Sequence, residues 1–295
     1  MNSPRWRSIL IGANCQLSYT GGQMTVRTAD KREESIPLFD VQTVIISSTR
    51  TSLSAKLICE LEKQDIRTVF CDESHLPYGE IVSYSAHGSS AGMLREQIKW
   101  RKNVRQNIWK EIISLKIQMQ RNLLLRLGLD FQEDKFQKYL KAIKEGDLSN
   151  REAASARLYF STLFGSRFSR KAPSNINYAL NYGYAVLASA VTRSIVTHGF
   201  NPQLGIHHNS ITNPLNLTYD LIEPFRPLVD QIAFENREQE MDRDVRHKLI
   251  DVTNKEIRYC LTQATVLSAI DRFVVTMTNA MKSGEIPQIE MDFES

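Results

Sequence analysis

Apolar and polar positions follow two different periods along the chain, and the change from one to the other divides it. Over the first eighty or so residues, short β-rich runs at 8–11, 16–19 and 24–28 alternate with turn residues. The pair flanking Gly21-Gly22 is a hairpin signal, since that dipeptide suits a tight two-residue turn. Residues 43–46 and 68–71 read as short buried strands. Leu53, Leu57, Ile58 and Leu61 give residues 53–63 the spacing of a helix. Residues 1–86 are therefore expected to form a small, mainly β domain with one helix.

Residues 87–92, with Gly88, Ser89, Ser90 and Gly92, have the composition of a linker. Beyond them the period becomes helical. Val104, Ile108, Ile112, Leu115, Met119 and Leu123 form a stripe at three-to-four spacing, which predicts one helix over 94–127, ~50 Å long at 1.5 Å per residue. Further helices are predicted at 134–144, 150–164, 176–197, 215–222, 227–237, 245–260 and 264–281. The fold class expected is α+β: a small mainly β N-terminal domain, then a larger all-α domain over 93–295.

Length and composition agree with that division. A chain of 295 residues with 42% hydrophobic and 24% charged residues can bury two cores, and neither Gly nor Pro is enriched. The net charge of +4 is modest, but its distribution is uneven. Nine Lys or Arg residues stand between Arg95 and Arg126 against only Glu96 and Glu111, so the predicted long helix carries a basic face opposite its apolar stripe. No apolar leader follows Met1, and the most apolar run, 182–196, is interrupted by Arg193, so no signal peptide or membrane span is expected. Cys15, Cys59, Cys71 and Cys260 are far apart in sequence, which argues against a zinc site or disulfide framework and for a reducing, cytoplasmic setting.

Candidate chemistry lies in the second domain. Glu152, His208, Asp220 and Glu223 supply mixed N and O donors of the kind that bind a small divalent cation, provided that the fold brings them together. Each has a plainer reading. Ser149-Asn150-Arg151-Glu152 is the pattern of a capping box, which on that residue alone is the favoured role. His207 and His208 are adjacent, and successive side chains diverge, so at most one of them is a ligand. Asp220 and Glu223, three apart, share a helical face that is either solvated or cation-bound, with Pro224 and Pro227 fixing a boundary just beyond. Arg226 stands beside the acids, to pair with them or with a phosphate. Arg167, Arg170 and Lys171, interleaved with Phe164 and Phe168, form a basic and aromatic patch suited to a nucleic-acid backbone. No phosphate-binding glycine loop, dinucleotide fingerprint, serine-hydrolase elbow or zinc-protease motif is present.

Several runs resemble one family: Asn150-Arg151-Glu152-Ala153-Ala154 through Leu163-Phe164-Gly165, Asn181-Tyr182-Gly183-Tyr184, and above all Asp220-Leu221-Ile222-Glu223-Pro224-Phe225-Arg226-Pro227-Leu228-Val229-Asp230. They are similar to the CRISPR adaptation integrase, the first of the CRISPR-associated proteins. Trp6-Arg7 and the run from Val69-Phe70-Cys71-Asp72 to Leu76-Pro77 resemble its type II lineage.

The resemblance implies a β-rich dimerisation domain and a helical catalytic domain in which Glu152, His208 and Glu223 bind one Mg2+ or Mn2+ and carry catalysis. Asp220 matches an accessory acid, and Arg167, Arg170, Lys171 and Arg226 are candidate DNA contacts. It also implies a homodimer that works with the small, ferredoxin-like second CRISPR-associated protein, possible contact with other type II adaptation and effector proteins, and no membrane. Its reaction would join the 3′-hydroxyl ends of a captured DNA fragment to the CRISPR repeat by transesterification, with associated endonuclease activity. Two alternatives stay open. One is a metal-dependent nuclease that hydrolyses branched or single-stranded DNA. The other is a non-catalytic helical DNA-binding scaffold.

Overall fold

A computed structural model of the chain describes residues 7–73, 77–81 and 90–294. The chain divides into two compact units, Met1–Ser85 and Ala86–Ser295.

The first unit is built from β1 (Arg7–Ile11), β2 (Cys15–Thr20), β3 (Gln23–Thr28), β4 (Glu33–Pro37), β5 (Val41–Ile46), β6 (Ser52–Leu53), α1 (Ala55–Lys63), β7 (Arg67–Cys71) and β8 (Pro77–Glu80). Two four-stranded sheets result, ordered β1-β5-β7-β8 and β4-β3-β2-β6. β5 runs parallel to both β1 and β7, and its residues Val44, Ile45 and Ile46 are almost wholly buried, as a central parallel strand requires. The β2–β3 hairpin turns at Gly21 (φ 56°) and Gly22 (φ 85°), and Thr20 pairs with Gln23 across them. α1 begins at Ser54, whose hydroxyl accepts the Leu57 N–H at 3.3 Å. One core joins Leu17 and Met24 from one sheet, Val44 and Ile46 from the other, and Leu57 and Leu61 from α1. Of the type II-like residues, Trp6 and Leu76 lie outside the described part of the chain.

The second unit holds α2 (Ser90–Ile98), α3 (Lys102–Arg126), α4 (Glu133–Ala142), α5 (Arg151–Phe164), α6 (Asn175–Thr197), α7 (Asn216–Leu221), α8 (Arg226–Glu235), α9 (Arg243–Ile250), β9 (Glu256–Tyr259), β10 (Thr262–Thr265), α10 (Val266–Ser283) and β11 (Met291–Phe293). Short 3-10 turns at Glu145–Asp147 and Glu223–Phe225 precede α5 and α8. α3 is the axis of the unit, with Ile108, Ile112, Ile113, Ile117, Met119 and Leu123 all sealed from solvent. α6 and α8 approach closely where Gly183 meets Val229, since a Cβ at Gly183 would stand 2.4 Å from the valine methyl. Among the described residues, no helix is long and apolar enough to cross a membrane, and all four cysteines are free thiols.

The α+β class is as expected, but the second unit is not all-α, since β9, β10 and β11 form a small sheet in it, and three boundaries differ. The single helix expected at 94–127 is two, because Trp100 turns inward against Phe200 (ring centroids 5.9 Å apart) and Arg101 becomes an extended N-cap for α3. Residues 90–92 of the expected linker open α2, and the remainder, 87–89, lies outside the described residues. The helix expected at 245–260 stops at Ile250. There Glu256-Ile257-Arg258-Tyr259 alternates exposed and buried, a period of two, and the segment becomes the centre of a three-stranded antiparallel sheet, β10-β9-β11.

Candidate metal centre

Glu152 leaves the first turn of α5, but not as a cap. Asn150, the N-cap, takes a left-handed conformation (φ 51°) and its side chain makes no capping bond. The free amides are taken up from upstream: Asp147 Oδ1 accepts the Arg151 N–H and Asp147 Oδ2 accepts the Glu152 N–H, both at 2.9 Å. Gly146 and Asp147 also have positive φ, so the turn is wound tightly enough to bring that carboxylate under the helix start. The capping box read from the sequence is thereby overturned, and the Glu152 carboxylate is free to reach inward.

It reaches Lys116. Glu152 Oε1 lies 2.7 Å from Lys116 Nζ, and Glu223 Oε2 lies 2.6 Å from the same nitrogen. Two acids from distant parts of the chain thus meet on one ammonium. Lys116 comes from the buried side of α3, not from the exposed basic face assigned to it in the sequence. Glu223 is delivered by the 3-10 turn between α7 and α8, which Pro224 and Pro227 delimit at their first turns, and its Oε1 also pairs with Arg226 Nε at 3.0 Å. Burial pushes the Glu223 carboxyl up, but Lys116 and Arg226 outweigh burial and hold it below its ordinary range. Burial likewise opposes the charge on Lys116 and Arg226, and the acids prevail in both, so both stay protonated.

Asp220 does different work, although it shares a turn of chain with Glu223. It is fully buried, and its Oδ2 accepts the backbone N–H of Ile206 at 2.5 Å and of His207 at 2.9 Å, while Oδ1 accepts that of His208 at 3.1 Å. His208 Nδ1 lies 2.7 Å from the same Oδ1, so Asp220 fixes the imidazole and leaves Nε2 as the outward nitrogen. The hydrogen bond to Asp220 raises the His208 pKa against the opposing pull of burial, and the charges of Glu223 and Glu152 add to the rise. The loop can wrap this closely only because residue 205 is glycine: a Cβ there would stand 2.3 Å from the His208 carbonyl and 2.7 Å from Asp220 Oδ2. His207 stacks on buried Trp109 (4.3 Å, 4°), with the His208 ring edge-on to both, and its pKa is lowered chiefly by burial. An open cleft of about 580 Å³ adjoins His208, lined by Gln97, Trp100, Arg105, Asn209 and Asn216 among others.

Both acids expected on a shared solvated or cation-bound face are therefore buried, and they diverge to separate partners. Among the described residues, no three His, Cys, Asp or Glu side chains close on one point as metal ligands do. An ammonium stands between the two glutamates instead. The donor types still fit a hard divalent ion: two carboxylates, one buried oxygen of which (Glu223 Oε2) accepts no aligned hydrogen bond, and an imidazole fixed through its other nitrogen.

Residues 9–256 match the family model described as CRISPR associated protein Cas1. The chain belongs to the Cas1 family. The CRISPR-associated endonuclease Cas1 of Neisseria meningitidis serogroup C is 32% identical over 295 residues, covering 96% of each chain. Among solved structures, a casposase bound to integration product aligns with TM-score 0.78 at 19% identity over 95% of this chain and 91% of its own. A Cas6-RT-Cas1–Cas2 complex aligns with TM-score 0.72 at 18% identity over 97% of this chain and 36% of that one. At those identities the structural likeness concerns the fold.

In this Cas1-family chain, the basic residues expected to meet DNA fall into two groups. Arg167 and Lys171 are exposed in the segment between α5 and α6. Arg170 is exposed too, but it donates to Asn177 Oδ1 at 2.6 Å and Asn181 Oδ1 at 2.8 Å and lies 5.5 Å from the Tyr184 ring centre. Arg226 pairs with Glu223 and lies 4.6 Å from the same ring. On α3, Arg105 donates to the Ile206 carbonyl at 2.8 Å, Arg121 pairs with Glu133, and Arg126 reaches the Glu294 carbonyl, so much of the basic face is engaged internally.

Lys116, Asp147, Trp109 and Gly205 were not identified from the sequence as parts of the site. One signal for Lys116 was present: a lysine four residues after Ile112 and three before Met119 falls on the apolar stripe, where an unpaired ammonium does not belong.

Proposed function

We propose that this chain is a DNA nuclease and integrase of CRISPR adaptation, in which Glu152, His208 and Glu223 hold one Mg2+ or Mn2+. The observation that carries the reading is the meeting of Glu152 and Glu223 on a single cation, with His208 fixed by Asp220 and acted on by both of their charges. A divalent ion held by these donors would supply the positive charge that polarises a scissile phosphate and stabilises the departing oxygen.

The chain's own residues do the rest. Asp220 holds His208 with Nε2 available, and Asp147 keeps α5 in the register that presents Glu152. Arg226, tied to Glu223 on one side and to the Tyr184 ring on the other, is a fixed cation beside the centre that suits a phosphodiester. The DNA 3′-hydroxyl is the nucleophile: its oxygen bonds to phosphorus and gives up its proton as the bond to the leaving 3′-oxygen breaks and that oxygen takes up a proton, so the number of phosphodiester bonds is conserved. No nucleotide triphosphate is consumed, in keeping with the missing phosphate loop. Exposed Arg167 and Lys171 are the better candidates for backbone contact, and Arg170 the weaker, because two asparagines already occupy its guanidinium.

The partners proposed are DNA, a second copy of the chain and a Cas2 protein. The names of the neighbours support DNA and Cas2, since one is an integration-product complex and another contains Cas1 with Cas2, and the second copy rests on the family resemblance. The type II lineage rests on the N-terminal sequence runs.

A strand-transfer assay with a defined 3′-hydroxyl tests the reading. Joined product that disappears in Glu152→Gln, in His208→Ala and on chelation is expected, with DNA binding kept within a fewfold. Cleavage without joining would favour the hydrolytic nuclease, and unchanged processing in both variants would favour the scaffold.

A further inference from the structure

Lys116 is a lysine whose side chain is only 10% exposed, on the face of α3 that is otherwise built mostly from apolar core residues. A buried ammonium is tolerated where charges of opposite sign surround it, and here two carboxylates do so at 2.7 and 2.6 Å. Each acid comes from a different element, α5 and the turn before α8, and Lys116 is the group they share. Each acid or its element has a further tie as well. Ser155, further along α5, donates to Gln120 Oε1 on α3 at 2.8 Å, and Glu223 keeps Arg226 through its other oxygen.

We propose that Lys116 is the internal counter-cation of the centre: its ammonium holds the Glu152 and Glu223 carboxylates facing each other in the metal-free protein, and it must give way when a divalent ion takes its place between them. The inference rests on the reading that these carboxylates are the ion's donors. It makes Lys116 a positioning residue whose first consequence is on binding, before any chemistry. Without it, two bare carboxylates face each other with Arg226 alone to offset them, so an incoming ion meets less competition and relieves more repulsion. With it, the ion must first break two short ion pairs. The flexible four-carbon stem of lysine allows that exchange without movement of α3.

The test is Mn2+ binding to the full chain without DNA, read from the electron paramagnetic resonance signal of free Mn2+ at one fixed pH. Lys116→Met is expected to bind Mn2+ about tenfold more tightly than the wild type, within the usual span of coupling between two competing ligands. Lys116→Arg, which keeps the charge, is expected to stay near the wild-type affinity. The metal-free methionine variant should also melt below the wild type and gain more from added Mn2+. Equal or weaker binding by Lys116→Met would overturn the proposal. If the wild type binds Mn2+ and Glu152→Gln or Glu223→Gln removes that binding while Lys116→Met leaves it unchanged, only the role of Lys116 fails. If neither the wild type nor the Lys116 variants bind Mn2+, the reading of the centre itself fails and takes the inference with it.

Discussion

Glu223 and Asp230 lie on the same short stretch of chain, both almost sealed from solvent, yet their acidities shift in opposite directions. Glu223 stays below its ordinary range because Lys116 and Arg226 outweigh the cost of burial. Asp230 is pushed up to about 6 by burial, which the hydrogen bonds donated by Tyr184 and Tyr159, and behind them the more distant charges of Arg226 and Arg170, offset only in part. Burial is common to both, so the nature of the donors decides. Neutral hydroxyls in contact satisfy lone pairs but compensate little of the charge, whereas cations in direct contact compensate the charge itself. A third acid, Asp220, is satisfied by three backbone amides and an imidazole. The region thus contains a carboxylate paired with two cations, one that braces two aromatic rings, and one that shapes a loop.

The sharpest way to break the comparison is to remove the charged side. Glu223→Leu leaves Arg226 buried without its acid and Lys116 with only Glu152, and is expected to cost about 3–5 kcal/mol of stability in urea unfolding, as loss of one partner from a buried pair does. A loss below about 1 kcal/mol would show that the two cations re-pair or reach water without penalty.

Asp230→Asn sharpens the other side. A carboxyl whose folded pKa is raised contributes stability that is fully present below its unfolded value, 3.8, and is lost as pH climbs through about 6. The wild type should therefore lose stability relative to Asp230→Asn as pH rises from 4 to 7, by roughly 3 kcal/mol for a shift of about two units. Chemical unfolding of both proteins at several pH values reads this directly. A gap that stays constant with pH would mean that Asp230 is ionised as readily in the folded chain as in the unfolded one.

These acids were visible in the sequence as residues but not as roles. The division into a β-rich unit and a helical unit follows from a change of period, which local sequence carries well. Glu152, His208 and Glu223 were singled out through family resemblance, because nothing local says that α5 and the turn before α8 face one another. What could not be read was partner choice. Lys116 belongs by charge to the basic face, and its position on the apolar stripe is the contrary sign. Asp220 and Glu223 share a spacing that places both on one side of a helix, but the helix ends at Leu221 and a 3-10 turn carries Glu223 to a different neighbour. The helix expected at 245–260 stops short for the opposite reason, since its apolar content suits a helix while the alternation at 256–259 is that of a strand.

The smallest effect concerns the start of α5, where Ser149-x-x-Glu152 imitates a cap and Asp147 supplies the real one. The two acids make a controlled pair: adjacent in space, one satisfying backbone amides and the other reaching the centre. Asp147→Ala frees the N–H groups of Arg151 and Glu152, which should cost about 1 kcal/mol, the usual worth of a cap. Because Glu152 keeps Lys116, the same variant should join DNA ends to within a fewfold of the wild type. Glu152→Gln should show the reverse, near-native stability with joining lost. If Asp147→Ala abolished joining as completely as Glu152→Gln, the cap would be setting the position of the Glu152 carboxylate. The division between a carboxylate that holds the helix and one that holds the ion would then give way to a single unit in which both do so together.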